Sequence, residues 1–175
     1  MGIEDKNLNL IYKLCLQLNE DFNRVLGFNP DLKCSGGIKK NRYYFRCREC
    51  DKVSNRSIEF YFEVYYFQLK YAVLTREERD TLTEDECITL ANERRDIEYI
   101  CIHSFNVNPI RKGLGTRLMN LFFNRVRELA KMKRIYLTPA DKDSERFWNK
   151  FGFVDKKTIL PLADITLCNL VKIIR

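Results

Sequence analysis

Ile110-Arg111-Lys112-Gly113-Leu114-Gly115-Thr116 runs straight into Arg117-Leu118-Met119-Asn120-Leu121. The first part reads as a short glycine-bearing loop, the second as the opening turns of a helix. Ahead of them stands a strand-like run, Ile97-Glu98-Tyr99-Ile100-Cys101-Ile102. Two glycines let backbone approach a ligand closely, and a helix start presents N–H groups that have no partner within the helix. A strand–loop–helix of this kind holds phosphate. Arg111, Lys112 and Arg117 add positive charge at the same point.

Outward from that loop the periodicity changes several times. Leu8, Ile11, Leu14, Cys15, Leu18, Phe22, Val25 and Leu26 recur at helical spacing and Gly27 follows, which predicts an amphipathic helix over 7–26. Residues 29–37 are turn-rich and predict a loop. Strands are expected around Tyr43-Tyr44-Phe45 and from Ser57 to Leu74, joined by the polar turn Asp51–Arg56 as a hairpin or meander. Thr75–Arg95 is charged, with a helix start at Thr83-Glu84-Asp85-Glu86, and predicts a short helix or an exposed connection. A strand over 97–107, a helix from Gly113 to about Met132, a strand at 134–138 and a helix from Ser144 to Phe151 follow. Gly152 ends that last helix, and strands at Phe153-Val154 and 167–174 complete the chain. This order predicts one mixed α/β (α+β) domain over 1–175, with a central, mostly antiparallel sheet and helices on both faces.

Composition bounds the rest. With 175 residues, 45% hydrophobic and 31% charged, the chain suits one soluble domain with a substantial core. No apolar run reaches membrane-spanning length, and Met1-Gly2-Ile3-Glu4-Asp5-Lys6 has neither a signal-peptide pattern nor the Ser or Thr of a myristoylation signal. Seven cysteines, an odd number, fit reduced thiols and a cytoplasmic setting. The net charge of +7 favours anionic ligands without choosing among nucleotide cofactors and nucleic acids.

At this point the chain resembles a GNAT-superfamily N-acetyltransferase. The family's central signature is Arg or Gln, two residues, Gly, one residue, then Gly or Ala, set between a strand and a helix. Gly113-Leu114-Gly115 fits its second part, while Ile110 stands in the first position beside Arg111. A second signature, a short helix of the form Ala, three residues, Tyr, two residues, a hydrophobe, Gly, Phe, is matched in spacing by Ser144-Glu145-Arg146-Phe147-Trp148-Asn149-Lys150-Phe151-Gly152-Phe153. The resemblance covers roughly 97–154. It implies acetyl-CoA as cosubstrate, its pyrophosphate on Arg111, Lys112, Gly113, Leu114, Gly115 and Thr116, and its pantetheine arm along Phe105, Asn106 and Val107. Ser144 and Trp148 would stand beside it. Residues 97–154 would then form the acyl-CoA-binding core, 1–96 the acceptor side and 155–175 the C-terminal strands.

Acetyl transfer to an amine needs a neutral nucleophile, an oxyanion donor and a proton source for the leaving thiolate. The family's proton donor is the Tyr of the second signature, replaced here by Trp148, whose indole N–H is no comparable acid. Tyr136 and Ser144 are substitutes within reach in sequence. For the base, alternation along 97–107 puts Tyr99, Cys101, His103 and Phe105 on one face and Glu98, Ile100, Ile102 and Ser104 on the other. His103, the only histidine, suits proton transfer near neutrality, with Glu98 and Tyr99 as rivals. The aromatic run Phe60–Phe67 reads as sheet core that also floors an acceptor cleft in such a fold. Cys47-Arg48-Glu49-Cys50, with Cys34, resembles one knuckle of a zinc ribbon, although its partner pair is missing. The leading expectation is an acetyl-CoA-dependent N-acetyltransferase acting on an amine of a small molecule or protein; the alternatives are a GNAT-fold CoA-binding protein without catalysis and a basic zinc-stabilised nucleic-acid-binding module. No membrane partner is expected, and either a monomer or a homodimer is.

Overall fold

A computed structural model describes residues 6–37, 42–66, 75–93, 97–110, 113–128, 134–155 and 168–173. Its elements in chain order are α1 (Lys6–Leu26), β1 (Lys33–Gly37), β2 (Arg42–Asp51), β3 (Arg56–Tyr66), α2 (Arg76–Thr81), α3 (Glu84–Glu93), β4 (Ile97–Asn108), α4 (Leu114–Glu128), β5 (Arg134–Leu137), α5 (Lys142–Asn149), β6 (Val154–Asp155) and β7 (Leu170–Ile173). One seven-stranded sheet runs β1-β2-β3-β4-β5-β7-β6. All its pairings are antiparallel except β4 with β5, which the α4 crossover joins in parallel. The mixed sheet expected from the order of patterns is present.

The core follows from period. Phe60, Phe62 and Val64 of β3 and Phe45 of β2 are fully buried, and they meet Leu14, Leu18 and Phe22 of α1 and Leu118, Phe122 and Val126 of α4. Phe45 stacks on Phe62 at 4.4 Å, and Phe122 meets Phe60 and Phe62 edge-on at 5.2 and 5.0 Å. The helices also lock by charge: Asp21 on α1, only 3% exposed, takes Arg125 Nε at 2.7 Å and Nη2 at 3.2 Å from α4.

Three elements depart from the sequence reading. Residues 33–37 form β1, not a loop, because Lys33 to Gly37 pair with Arg46 to Arg42 on the edge of β2. The segment after Thr75 holds two helices, and the first is started by a capping box in which Thr75 and Glu78 exchange side-chain-to-backbone bonds. The simple alternation along β4 also fails. Tyr61 pairs with Ser104 but the next residue, Phe62, pairs with Ile102, so His103 is an extra residue, a β-bulge. Phe105 and Val107 therefore pack on the core that holds Ile100 and Ile102, while Tyr99 and Cys101 belong to a separate cluster with Tyr136 and Cys168.

Candidate functional site

Strands β4 and β5 pair only over Ile100–Ile102 and Ile135–Leu137. That pairing stops where β5 ends at Leu137, while β4 runs on alone to Asn108, and each face of the sheet carries a cavity beside this free stretch of β4. On the helix face lies a cleft of about 840 Å³ between the end of β4, the start of α4 and α5. Phe105, Asn106 and Val107 form one wall, Gly113, Gly115 and Thr116 the second, and Ser144, Phe147 and Trp148 the third. Gly113 has φ +74°, a left-handed conformation that glycine adopts without cost, and its carbonyl accepts the first helical bond, from Arg117 N at 3.0 Å. The N–H groups of Leu114, Gly115 and Thr116 are thus left without intrahelical acceptors, at the positive end of a helix. Gly115 keeps that approach open, since a Cβ there would stand 3.4 Å from Phe105 Cε1 and 3.7 Å from Phe147 Cε2.

The third wall is built by α5. Asp141 caps it: its carboxylate accepts from Ser144 N at 2.7 Å, while its own N–H donates to Ser144 Oγ at 3.0 Å. Ser144 therefore serves first as a cap, with its oxygen turned to local backbone. Trp148 is buried among Phe105, Phe147, Phe151 and Phe153, with ring centroids 5.1 to 6.4 Å away. It packs as a core residue at the back of the cleft.

On the opposite face a smaller cavity, about 220 Å³, is lined by Tyr65, Tyr99, Cys101, His103, Thr138 and Cys168. Tyr65 and Tyr99 stack at 4.4 Å, and His103 stacks on Tyr61 at 4.6 Å. Beside it lies a group that the sequence reading missed, the carboxylate of Glu63, 4% exposed on β3. The hydroxyls of Tyr61 and Tyr65 both donate to it. Arg42 Nη1 stands 3.7 Å and His103 Nε2 3.4 Å from its Oε2. Burial alone would raise the Glu63 carboxyl; the two tyrosine bonds, then His103 and Arg42, more than offset it and hold the group below the ordinary glutamate value. The available signal was an acid at period 2 between two tyrosines, Tyr61-Phe62-Glu63-Val64-Tyr65, inside an otherwise buried strand.

The expected residues divide accordingly. Phe105, Asn106, Val107, Gly113, Gly115, Thr116, Ser144 and Trp148 come together around the larger cleft, with Leu114 buried just behind as the first residue of α4. Arg111 and Lys112 lie outside the described residues. Sequence reasoning missed Pro109, Phe147, Arg146 and Lys150 among the lining residues, and the acids Asp141 and Asp143, the latter paired with Arg146 at 3.2 Å. His103 and Tyr99 sit at the smaller cavity, on the other side of the sheet. Glu98 is placed on β4, and its side chain is outside the description. Tyr136 is elsewhere: it is fully buried, packed edge-on against Tyr99 at 5.4 Å, with no hydrogen-bond partner for its hydroxyl among the described residues. An orphan hydroxyl is a cost rather than an acid at hand, so Tyr136→Phe is expected to raise stability by about 1 kcal/mol in urea unfolding.

The zinc knuckle does not form. Cys47 and Cys50 lie on one continuous strand, three residues apart, so their side chains point to opposite faces, Cys47 buried and Cys50 exposed. A knuckle needs a turn between its two thiolates. Burial also pushes the Cys34 and Cys47 thiols up to about 12, against the thiolate form that zinc requires. Among the described residues no three His, Cys, Asp or Glu groups converge on a common point.

The sequence model of the Acetyltransferase (GNAT) family matches residues 59–153, from the strand that carries Glu63 to the end of the second signature. The chain belongs to the GNAT acetyltransferase family. Acetyl-CoA is the cosubstrate of that family. No curated protein matched the sequence. Solved structures similar to it include a tyrosine-to-phenylalanine mutant of KacT, at 10% identity and a TM-score of 0.40 over 99% of this chain and 86% of that one. A KacTA–DNA complex is similar at 10% identity and 0.42, over 98% and 82%. AtaTR bound with AcCoA is similar at 11% identity and 0.39, over 78% and 72%. No helix among the described residues of this GNAT chain is long and apolar enough to cross a membrane.

Proposed function

We propose that this chain transfers the acetyl group of acetyl-CoA directly to an amine, with the cofactor in the larger cleft and the acceptor in the smaller cavity across the sheet. One observation carries the reading: β5 ends at Leu137 while β4 continues to Asn108, which leaves a gap beside β4, and the two cavities are lined from either side of it. A thioester laid along Phe105–Val107 presents its carbonyl carbon at the gap, within reach of a nucleophile held beside His103 and Tyr99. Its pyrophosphate then lies on the N–H groups of Leu114, Gly115 and Thr116, where the helix dipole favours anions. The pantetheine arm is peptide-like and can pair with the unpaired edge of β4, in the manner of an added strand.

Direct attack requires no covalent enzyme intermediate, so no cysteine is assigned as nucleophile. Cys101, which lines the proposed acceptor cavity together with Cys168, is pushed up by its contact with Cys168 at 3.4 Å and by burial, which disfavours a thiolate.

Trp148 in the place of the signature tyrosine favours a second reading, a protein that binds CoA without catalysis. One pair of measurements separates the two. Under the leading reading CoA raises the melting temperature, and acetyl-CoA releases free thiol in the presence of at least one amine of a broad panel. Stabilisation by CoA with no thiol release over that panel supports the second reading, and absence of both sinks the cofactor placement itself.

A further inference from the structure

Glu63 is a carboxylate that the sheet alone does not need. Its strand neighbours Phe62 and Val64 are fully buried on the other face, and its own face already carries Tyr61 and Tyr65. A carboxylate buried in such a place costs free energy unless it is fully satisfied. It is satisfied here from three strands: Arg42 on β2, Tyr61 and Tyr65 on β3, and His103 on β4. The last partner is there because of the bulge. One extra residue in β4 turns the His103 ring onto Tyr61 and brings Nε2 to 3.4 Å from Glu63 Oε2. Bulges re-aim side chains in this way next to functional sites.

The pair has an asymmetry of position. The Glu63 side chain is 5% exposed and that of His103 37%, and His103 alone of the two lines the cavity. A buried acid thus stands behind an accessible imidazole that is also held flat against a tyrosine ring. We propose that Glu63 is a positioning residue for His103, fixing the ring and its Nε2–H tautomer so that Nδ1 accepts the proton of the acceptor amine. This rests on the acetyl-transfer reading given above. A carboxylate at one ring nitrogen favours the proton there and leaves the lone pair on the other. In the step itself the amine nitrogen bonds to the acetyl carbonyl carbon and its proton passes to His103 Nδ1. The carbon–sulfur bond breaks with its electron pair on sulfur, and the CoA thiolate takes a proton from water. His103 returns its proton to solvent, so an amine and acetyl-CoA leave as an amide and CoA.

Because the chain has a single histidine, its imidazole nitrogen signals in a ¹⁵N-detected spectrum need no assignment. The wild-type protein at neutral to alkaline pH is expected to show mainly the Nε2–H tautomer, and Glu63→Gln a mixture of both. Thiol release is then followed with spermidine, a lysine-containing peptide blocked at its N-terminus, and a glycyl peptide with a free N-terminus, keeping the fastest of the three. Glu63→Gln is expected to lower kcat on the order of 10-fold to 100-fold with the KM for acetyl-CoA unchanged, less than the roughly 10²–10⁴-fold a proton-transfer group supplies. His103→Ala is expected to lower it at least as far, and Glu63→Gln added to His103→Ala to change nothing more. A predominant Nδ1–H tautomer in the wild type overturns the pairing without any variant having to fold. Unchanged kcat in Glu63→Gln, or losses that multiply in the double variant, overturn it as well. No thiol release from any of the three amines overturns the acetyl-transfer reading, and the catalytic role of the pair with it.

Discussion

Gly115→Glu is expected to abolish CoA binding while leaving the fold intact. The position sits in the first turn of α4, between the cleft walls, where a Cβ meets Phe105 Cε1 at 3.4 Å, Val107 Cγ2 at 3.6 Å and Phe147 Cε2 at 3.7 Å. Those are ordinary contacts with side-chain atoms, so alanine fits there with small adjustments and the helix does not need glycine for its backbone. A glutamate side chain has no room among the rings and must extend into the cleft. It would place a carboxylate where the phosphates belong, at the helix end that otherwise favours anions. The loss is expected to exceed 100-fold in Kd, about 3 kcal/mol or more. Gly115→Ala, by contrast, should lose less than 10-fold, about 1.4 kcal/mol. Titration calorimetry with CoA measures both, and melting temperatures of the free proteins check the fold. Binding retained by the glutamate variant would move the cofactor away from α4. Gly113 makes a different demand: its φ of +74° penalises any side chain through the backbone, even though a Cβ there meets nothing within 4 Å.

The parts of the fold legible in the sequence are those where local chemistry and tertiary packing agree. Helix α1 is readable because Ile11, Leu14, Leu18 and Phe22 recur at its period and Gly27 closes it with φ +81°. The loop at Gly113 and the helix that ends at Gly152 are readable because glycine there answers a backbone requirement. Strand β1 is not, since Lys33-Cys34-Ser35-Gly36-Gly37 has no strand pattern of its own and exists only because the edge of β2 supplies its partners. Nor is the bulge at His103, because an extra residue shows only when the register of the facing strand is known. That one residue decides which side chains share a face, and it separates Phe105 from Tyr99 and Cys101. The cysteines show the converse, a suggestive spacing emptied of meaning by a straight strand. Glu63 stands between these cases. Its tyrosine neighbours are visible at period 2, whereas Arg42 and His103 join it only once β2, β3 and β4 lie side by side.

Arg125→Met is expected to cost about 3–5 kcal/mol of stability, the range found when one partner of a buried ion pair is removed. Asp21 is 3% exposed, and after the change its remaining cation is Arg24, at 3.2 Å but with a side chain 72% exposed. The reciprocal change, Asp21→Ala, should cost less, because Arg125 is a quarter exposed and already reaches Glu128 at 3.3 Å. The double variant should recover much of the loss, since methionine beside alanine leaves no uncompensated charge between α1 and α4. Urea unfolding of the three variants measures this; an Arg125→Met cost below about 1 kcal/mol would show that apolar packing alone docks the two helices. CoA affinity offers an independent check. Arg125 lies ten residues along α4 from Gly115, about 15 Å, so the pair acts on how firmly α4 is seated and not on the charge at its N-terminus. The double variant is therefore expected to bind CoA within about 3-fold of the wild type, less than 1 kcal/mol, separating the stability of the helix from the function of its first turn.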